Sequence, residues 1–243
     1  MTDTNYIGAF LDAQLTGRDA AHVVELPGSS LRVHRDVRDA FLALQGAAAR
    51  DGIDLQPLSA FRDFDRQCAI WNDKCLGRRP LLDRQGQPLD AAQLDADGLV
   101  DAVLLWSALP GGSRHHWGTD LDVIDAAAVP AGYAVQLTRE EFAPGGPFAA
   151  LDAWLARHAG EQGFYRPYVV DRGGVQPEPW HISHIAVASK ALASLTVDVL
   201  AEALRDAGIE AQDIVRARLP ELHARYVRNV EPVPELTPPA TPS

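Results

Sequence analysis

Apolar residues recur at helical spacing over residues 36 to 50, where Val37, Ala40, Phe41, Leu44 and Ala47 or Ala48 form one stripe and Asp51-Gly52 supplies a stop. The next stretch, IDLQPLSAF at 53 to 61, alternates apolar and polar positions and runs into Arg62, the pattern of a strand that delivers an arginine at its end. A second helix is predicted from Phe64 to Leu76, capped by Asp63 or Asp65 and stopped by Gly77. A polar turn follows at Asp83 to Pro88, then a helix from Ala91 to about Trp106, broken by Pro110-Gly111-Gly112. Thr119 to Ile124 again alternates. Phe148, Leu151, Trp154, Leu155 and His158 mark an amphipathic helix, and Phe164 to Val170 and Trp180 to Val187 read as strands joined through Gly173-Gly174. Helices are expected over 196 to 206, stopped near Gly208, and over 211 to 227. The strands crowd the middle of the chain without a regular strand-helix alternation. That order predicts an α+β fold, a small antiparallel β-sheet with flanking helices.

At 243 residues the chain has room for one domain, predicted over 1–230 with a helical C-terminal extension at 190–230. The last segment, 231–243, is proline-rich and lacks aromatics, which predicts a disordered tail. Hydrophobic residues are 47% and the net charge is −11, with no basic cluster beyond Arg78-Arg79, so a nucleic-acid partner is not expected. Cys68 and Cys75 lie two helical turns apart, about 10.5 Å of rise, too far for a disulfide, and are expected to be buried thiols. The N-terminal stretch carries no positive region followed by an apolar run, and no run reaches the length of a membrane span. Taken alone, that reading gives a cytoplasmic location.

Two segments concentrate metal-capable residues: His115, His116, Asp120 and Asp122 in the first, Glu178, His181 and His184 in the second. A catalytic zinc takes three nitrogen and oxygen ligands and keeps a fourth position open, and His115, Asp122 and His181 can supply that set. On a strand, Asp120 and Asp122 share a face while Leu121 and Val123 turn to the core. Glu178, three residues before His181, has the character of a general base, and a fixed Arg62 can stabilise an anionic oxygen or bind a carboxylate. Trp117 and Trp180 are expected to pack the sheet, with Trp180 able to border a substrate cleft. Asp125, Glu140 and Glu141 read as solvated charges or caps, and His116 and His184 as supporting residues.

Ser113-Arg-His115-His-Trp-Gly118-Thr-Asp-Leu-Asp122 resembles the S-x-H-x-x-G-x-x-x-D signature of the VanY-type zinc D-alanyl-D-alanine carboxypeptidases. Glu178-Pro-Trp-His181 is similar to their E-P-W-H signature, and Ser59-Ala-Phe-Arg62 with Gln67 resembles their S-G-Y-R…Q segment. The resemblance covers residues 59–184 and implies the lysostaphin-like and hedgehog-like zinc fold. It implies Zn2+ bound by His115, Asp122 and His181, Glu178 as the base, Arg62 at the scissile carbonyl, and Ser113, Gln67 and Trp180 as substrate contacts. Asp120 stands where the signature is usually small, which leaves two carboxylates as ligand candidates on one strand face. The implied substrate is a peptidoglycan stem peptide, cut as a D-alanyl-D-alanine carboxypeptidase or at the L-alanyl-D-glutamate bond as an endopeptidase. A non-catalytic zinc-binding module of the same fold is the remaining reading. Peptidoglycan is an exported polymer, so the resemblance implies a periplasmic or cell-wall location where the N-terminus implies a cytoplasmic one.

Overall fold

A computed structural model describes residues 10–234. The predicted helix at 36 to 50 forms over Arg38–Arg50 (α2), after a single turn at Asp12–Leu15 (α1) and a hairpin of Val23–Glu25 (β1) and Arg32–His34 (β2). Leu55–Ser59 (β3) leads to Phe64–Cys75 (α3), which starts where the Asp63 carboxylate accepts a hydrogen bond from the Arg66 N–H. The polar turn at Asp83 to Pro88 closes a small hairpin of Leu81–Leu82 (β4) and Pro88–Leu89 (β5). The helix expected from Ala91 begins later, at Ala96–Leu104 (α4): Leu94 is extended, and Asp95 caps the helix by accepting from the Gly98 N–H.

A four-stranded antiparallel sheet occupies the centre in the order β3, Asp120–Asp125 (β6), His181–His184 (β8), Phe164–Tyr165 (β7). Two expected strands are shorter than the apolar pattern suggested. After Tyr165 the carbonyls of Pro167 and Tyr168 accept from Glu231 and Glu178 in loops, which takes that segment out of the ladder. Beyond His184 the chain turns into a helix, Ile185–Ser194 (α7), because Ile185, Ala188 and Ala191 bury at helical spacing, where the β-branched run suggested a period of two. Between β6 and β8 lie a short turn, Arg139–Phe142 (α5), and Ala149–His158 (α6). Val197–Leu204 (α8) and Gln212–Leu222 (α9), extended by a π-turn at His223–Val227, complete the described chain.

The described residues bury two hydrophobic clusters. Leu121, Val123 and Ile182 turn one sheet face onto Phe41, Leu44, Phe148, Leu151 and Trp154 of α2 and α6. A second cluster joins Phe64 and Trp71 of α3 to Val103 of α4, Leu200 of α8 and Leu219 of α9. The C-terminal helices therefore share a core with α3, next to the motif segments. Cys68 and Cys75 are buried free thiols, and burial pushes both up to about 11.

Asp125 caps the turn after β6, as read. Glu141, read with Asp125 as a solvated charge or a cap, is a buried cap that accepts from Tyr133 Oη and from the backbone N–H groups of Gln136 and Thr138. Of the segment expected to be a free tail, residues 235–243 lie outside the described residues, as do residues 1–9 of the N-terminal stretch. Glu231 is docked, its N–H donating to the Pro167 carbonyl at 2.9 Å and its carboxylate pairing with Arg172 at 3.6 Å. No helix among the described residues is long and apolar enough to cross a membrane.

Candidate metal centre

Strand register sets the site. Ser59 on β3, Asp122 on β6 and His181 on β8 are direct cross-strand partners, so three residues separated by up to 122 positions share one row of the sheet. Asp120, Ser183 and Tyr165 form the next row on the same face, two residues along each strand. The fold thus stacks a row of donors beside a row of supporting groups.

His115 reaches the first row from the loop before β6. A 3-10 turn at Arg114–Trp117 ends at Gly118, whose φ is 68°, and a side chain there would meet the His34 backbone nitrogen at 2.6 Å. The signature glycine therefore stands where the turn presses against β2. Backbone clamps fix the turn to the end of β3: Arg62 N–H donates to the His115 carbonyl at 3.1 Å. His116 Nδ1 donates to the Arg62 carbonyl at 2.6 Å, and its Nε2 accepts from the Gly111 N–H at 3.1 Å. His116 is a structural cross-brace, with both ring nitrogens engaged. His184, the other supporting histidine, sits at the start of α7 against the Phe164 ring.

The donor atoms of His115, Asp122 and His181 lie within 4.8 Å of one another. His115 Nδ1 donates to the Ala60 carbonyl at 2.9 Å, which leaves Nε2, 3.4 Å from Asp122 Oδ2, as a lone pair. Burial holds His115 down to about 4, so this imidazole is neutral and able to ligate. His181 Nε2 meets Asp120 Oδ1 at 2.9 Å, and its Nδ1 points toward Asp122 Oδ1 and Glu178 Oε2, both at 3.3 Å. Burial opposes charge on His181, but the three carboxylates around it hold its proton affinity well above the ordinary range. Asp122 Oδ1 is buried without a hydrogen-bond partner among the described residues. An orphaned carboxylate oxygen beside two imidazole nitrogens, amid three acidic groups, fits a bound cation.

The choice between the two strand carboxylates is decided by who occupies them. Asp120 is fully buried and accepts from Arg114 Nε at 2.7 Å, Thr119 Oγ1 at 2.5 Å and His181 Nε2 at 2.9 Å. It braces the back of the imidazole, while Asp122 faces His115. Replacing Asp120 with asparagine is therefore expected to weaken metal binding ~10–100-fold, the usual cost of losing a group that orients a ligand histidine. Competition against a chelating dye measures it, and parent affinity in the Asp120→Asn protein would remove this role.

Arg62 is held from both sides, Nη1 donating to Gln67 Oε1 at 2.9 Å and Nη2 to Ser59 Oγ at 3.2 Å. Gln67, expected as a substrate contact, is instead fully buried with its Nε2 donating to the Ala108 carbonyl at 2.8 Å. It positions Arg62. Ser113 and Trp180 line the cleft with Arg62 and Glu178, and Trp180 also packs on Phe142, with ring centroids 5.8 Å apart. Trp117 is wholly core, its Nε1 donating to the Leu15 carbonyl. Glu178 is raised above its ordinary value by burial, against the pull of His181. Three residues near the site escaped the sequence reading. Tyr168 packs edge-on against His181 at 5.1 Å, Arg114 supports Asp120, and Lys74 lines the cleft. Arg114 occupies a variable place inside the first signature, and neither Tyr168 nor Lys74 belongs to a motif.

The sequence profile of the VanY family, described as D-alanyl-D-alanine carboxypeptidase, matches residues 30–187. An uncharacterized protein of Haemophilus influenzae is 46% identical over 98 residues, covering 39% of this chain and 67% of its own length. A second uncharacterized protein of the same organism is 32% identical over 117 residues, 47% of this chain and 89% of its own. Among solved structures, VanYB in complex with D-alanine-D-alanine superposes with a TM-score of 0.50 at 18% identity, covering 82% of this chain and 90% of that one, and so shares the fold.

Proposed function

The chain belongs to the VanY D-alanyl-D-alanine carboxypeptidase family, and from that membership we propose that it is a zinc peptidase that hydrolyses the terminal bond of D-alanyl-D-alanine-ended peptidoglycan stem peptides. The observation that carries this reading is the convergence of His115, Asp122 and His181 with a fourth residue outside that donor set, Glu178, whose carboxylate lies 3.3 Å from His181 Nδ1. Two imidazole nitrogens and one carboxylate oxygen suit Zn2+, which these three residues would hold. Bound there, the ion supplies Lewis acidity that polarises a carbonyl and acidifies water.

The remaining work falls to the chain's own groups. Glu178 accepts the proton of the attacking water and returns it to the leaving nitrogen, so it carries a proton between two steps of one turnover. Burial raises its proton affinity, which favours taking the proton from water, since a weaker base would not accept it. Arg62, bonded among the described residues to Gln67 and Ser59, has further N–H groups that can meet the carbonyl oxygen as negative charge grows on it. Gln67 and Ser59 fix the guanidinium in advance, so little reorganisation is needed at the moment of reaction. Ser113 and Trp180 border the peptide.

Mass-spectrometric product analysis on defined stem peptides tests the assignment. Release of a single D-alanine is expected from the zinc-loaded protein. Cleavage only at an L-alanyl-D-glutamate bond would make it an endopeptidase, and no cleavage of any D- or L-linked peptide would favour a binding module. Arg62→Ala is expected to lower kcat ~10²–10³-fold with a smaller change in KM, since the interaction strengthens as the oxyanion forms. Steady-state kinetics with unchanged turnover would remove Arg62 from the chemistry.

A further inference from the structure

The cleft in front of the donor triad, about 390 Å3, carries more positive charge than the proposed reaction requires. Arg62, Lys74 and Arg79 line it, against the carboxylates of Asp122 and Glu178. Arg114 lines it too, but is cancelled by its contact with Asp120. A divalent cation at the triad would add to the excess. This local field opposes the net charge of −11 of the whole molecule.

Lys74 is the unexplained member of that group. On α3 it follows Gln67 and Ile70 at helical spacing, so the face that holds Arg62 through Gln67 presents Ile70 and then Lys74 to the cleft. Arg79 shares the Asp73 carboxylate with Arg78, at 3.4 and 2.8 Å, and Arg62 is tied to Gln67 and Ser59. Lys74 is half-buried in the cleft wall and has no hydrogen bond or ion pair among the described residues. A partly desolvated ammonium that faces a cleft without a counter-charge of its own is placed to meet an anionic group of a ligand.

We propose that Lys74, seconded by Arg79, binds a carboxylate of the peptide substrate and makes the cleft selective for anionic peptides. The inference rests on the peptidase reading above and names what that site selects. Burial, with Arg79 and Arg62 adding and Glu178 opposing, holds Lys74 down to about 8, and an arriving carboxylate would supply the missing counter-charge. Two carboxylates have this chemistry in a stem peptide: the free C-terminus beside the scissile bond, and that of a glutamyl residue further back. A lysine in the last turn of a helix can also simply complement the helix dipole. That role predicts a loss of stability on substitution and no change in peptide preference.

The experiment compares zinc-loaded Glu178→Gln protein, in which hydrolysis is suppressed, with the same protein carrying Lys74→Gln. Calorimetric affinities are measured at pH 7 for an acetylated D-alanyl-D-alanine peptide as free acid, for its C-terminal amide, and for the amide with a D-glutamyl residue added. Lys74→Gln is expected to weaken one of the two carboxylate-bearing peptides ~10–100-fold, as for loss of a charge-assisted hydrogen bond, and to leave the neutral amide alone. Which peptide responds identifies the carboxylate. The parent and Lys74→Gln enzymes should then differ in KM for that peptide far more than in kcat. Arg78→Gln, outside the cleft, serves as the control. Equal affinities for all three peptides with and without the Lys74→Gln change, or a loss shared equally with the neutral amide, would overturn the proposal. Because binding is read without turnover, a protein that discriminates the acids but cleaves nothing would instead count against the peptidase assignment.

Discussion

Glu178→Gln protein is expected to hydrolyse stem peptides ~10²–10⁴-fold more slowly than the parent while retaining a full equivalent of zinc. The amide is nearly isosteric with the carboxylate and Glu178 is none of the three converging donors, so the metal centre should persist. What is lost is the ability to take a proton from water and hand it to the leaving amine. Single-turnover rates together with metal analysis on the same preparation check both halves. Parent-like turnover would assign the base elsewhere. A parallel loss of zinc would make Glu178 a ligand, in which case its 3.3 Å approach to His181 Nδ1 would belong to the coordination shell.

Asp120→Ala is expected to cost about 3–5 kcal/mol of stability, because it strands the Arg114 guanidinium without its counter-charge. Arg114 is 3% exposed, and its other donors reach only Ser183 Oγ and Tyr165 Oη, at 2.6 and 3.2 Å. Burial works against its charge and the Asp120 carboxylate offsets that cost; a guanidinium keeps its proton even without such a partner, so the stranded charge has no escape by deprotonation. A loss of that size is a large part of the ~5–15 kcal/mol that holds a typical domain folded. Urea unfolding measures it. The pair Arg114→Met with Asp120→Asn removes both charges and should recover most of the stability without restoring parent metal affinity, since the carboxylate behind His181 is still missing. A stable Asp120→Ala protein would show that water or Tyr165 satisfies Arg114 in its place.

The amphipathic stripes of α2, α3 and α6 were legible because a helix buries one face at a fixed period, and Phe41 with Leu44, or Leu151 with Trp154, lie at that period. Short strands were less legible. Ile182, Ile185 and Val187 satisfy a strand or a helix equally well, and the boundary at His184 comes from the neighbour β7 ending and α7 packing on the core. A four-residue window has no period long enough to choose.

Chemistry was legible to a different depth. Residue types and their order proposed His115, Asp122, His181, Glu178 and Arg62 as candidates, because few side chains can ligate a cation, move a proton or meet an oxyanion, and the structure brings these five to one cleft. Local spacing could not rank Asp120 against Asp122, which share a strand face. The tertiary structure ranks them through Arg114, Thr119 and His181, which donate hydrogen bonds to Asp120 and leave Asp122 Oδ1 without one among the described residues. It likewise moved Gln67 from the substrate to the support of Arg62, and brought Lys74 to the cleft from a helix that carries no motif. Sequence determined which groups could do the chemistry, a property of each side chain and its near neighbours. Which of them are free to do it depends on partners brought from distant parts of the chain, as His181 is to Asp120 across 61 residues, and only the packed chain decides that.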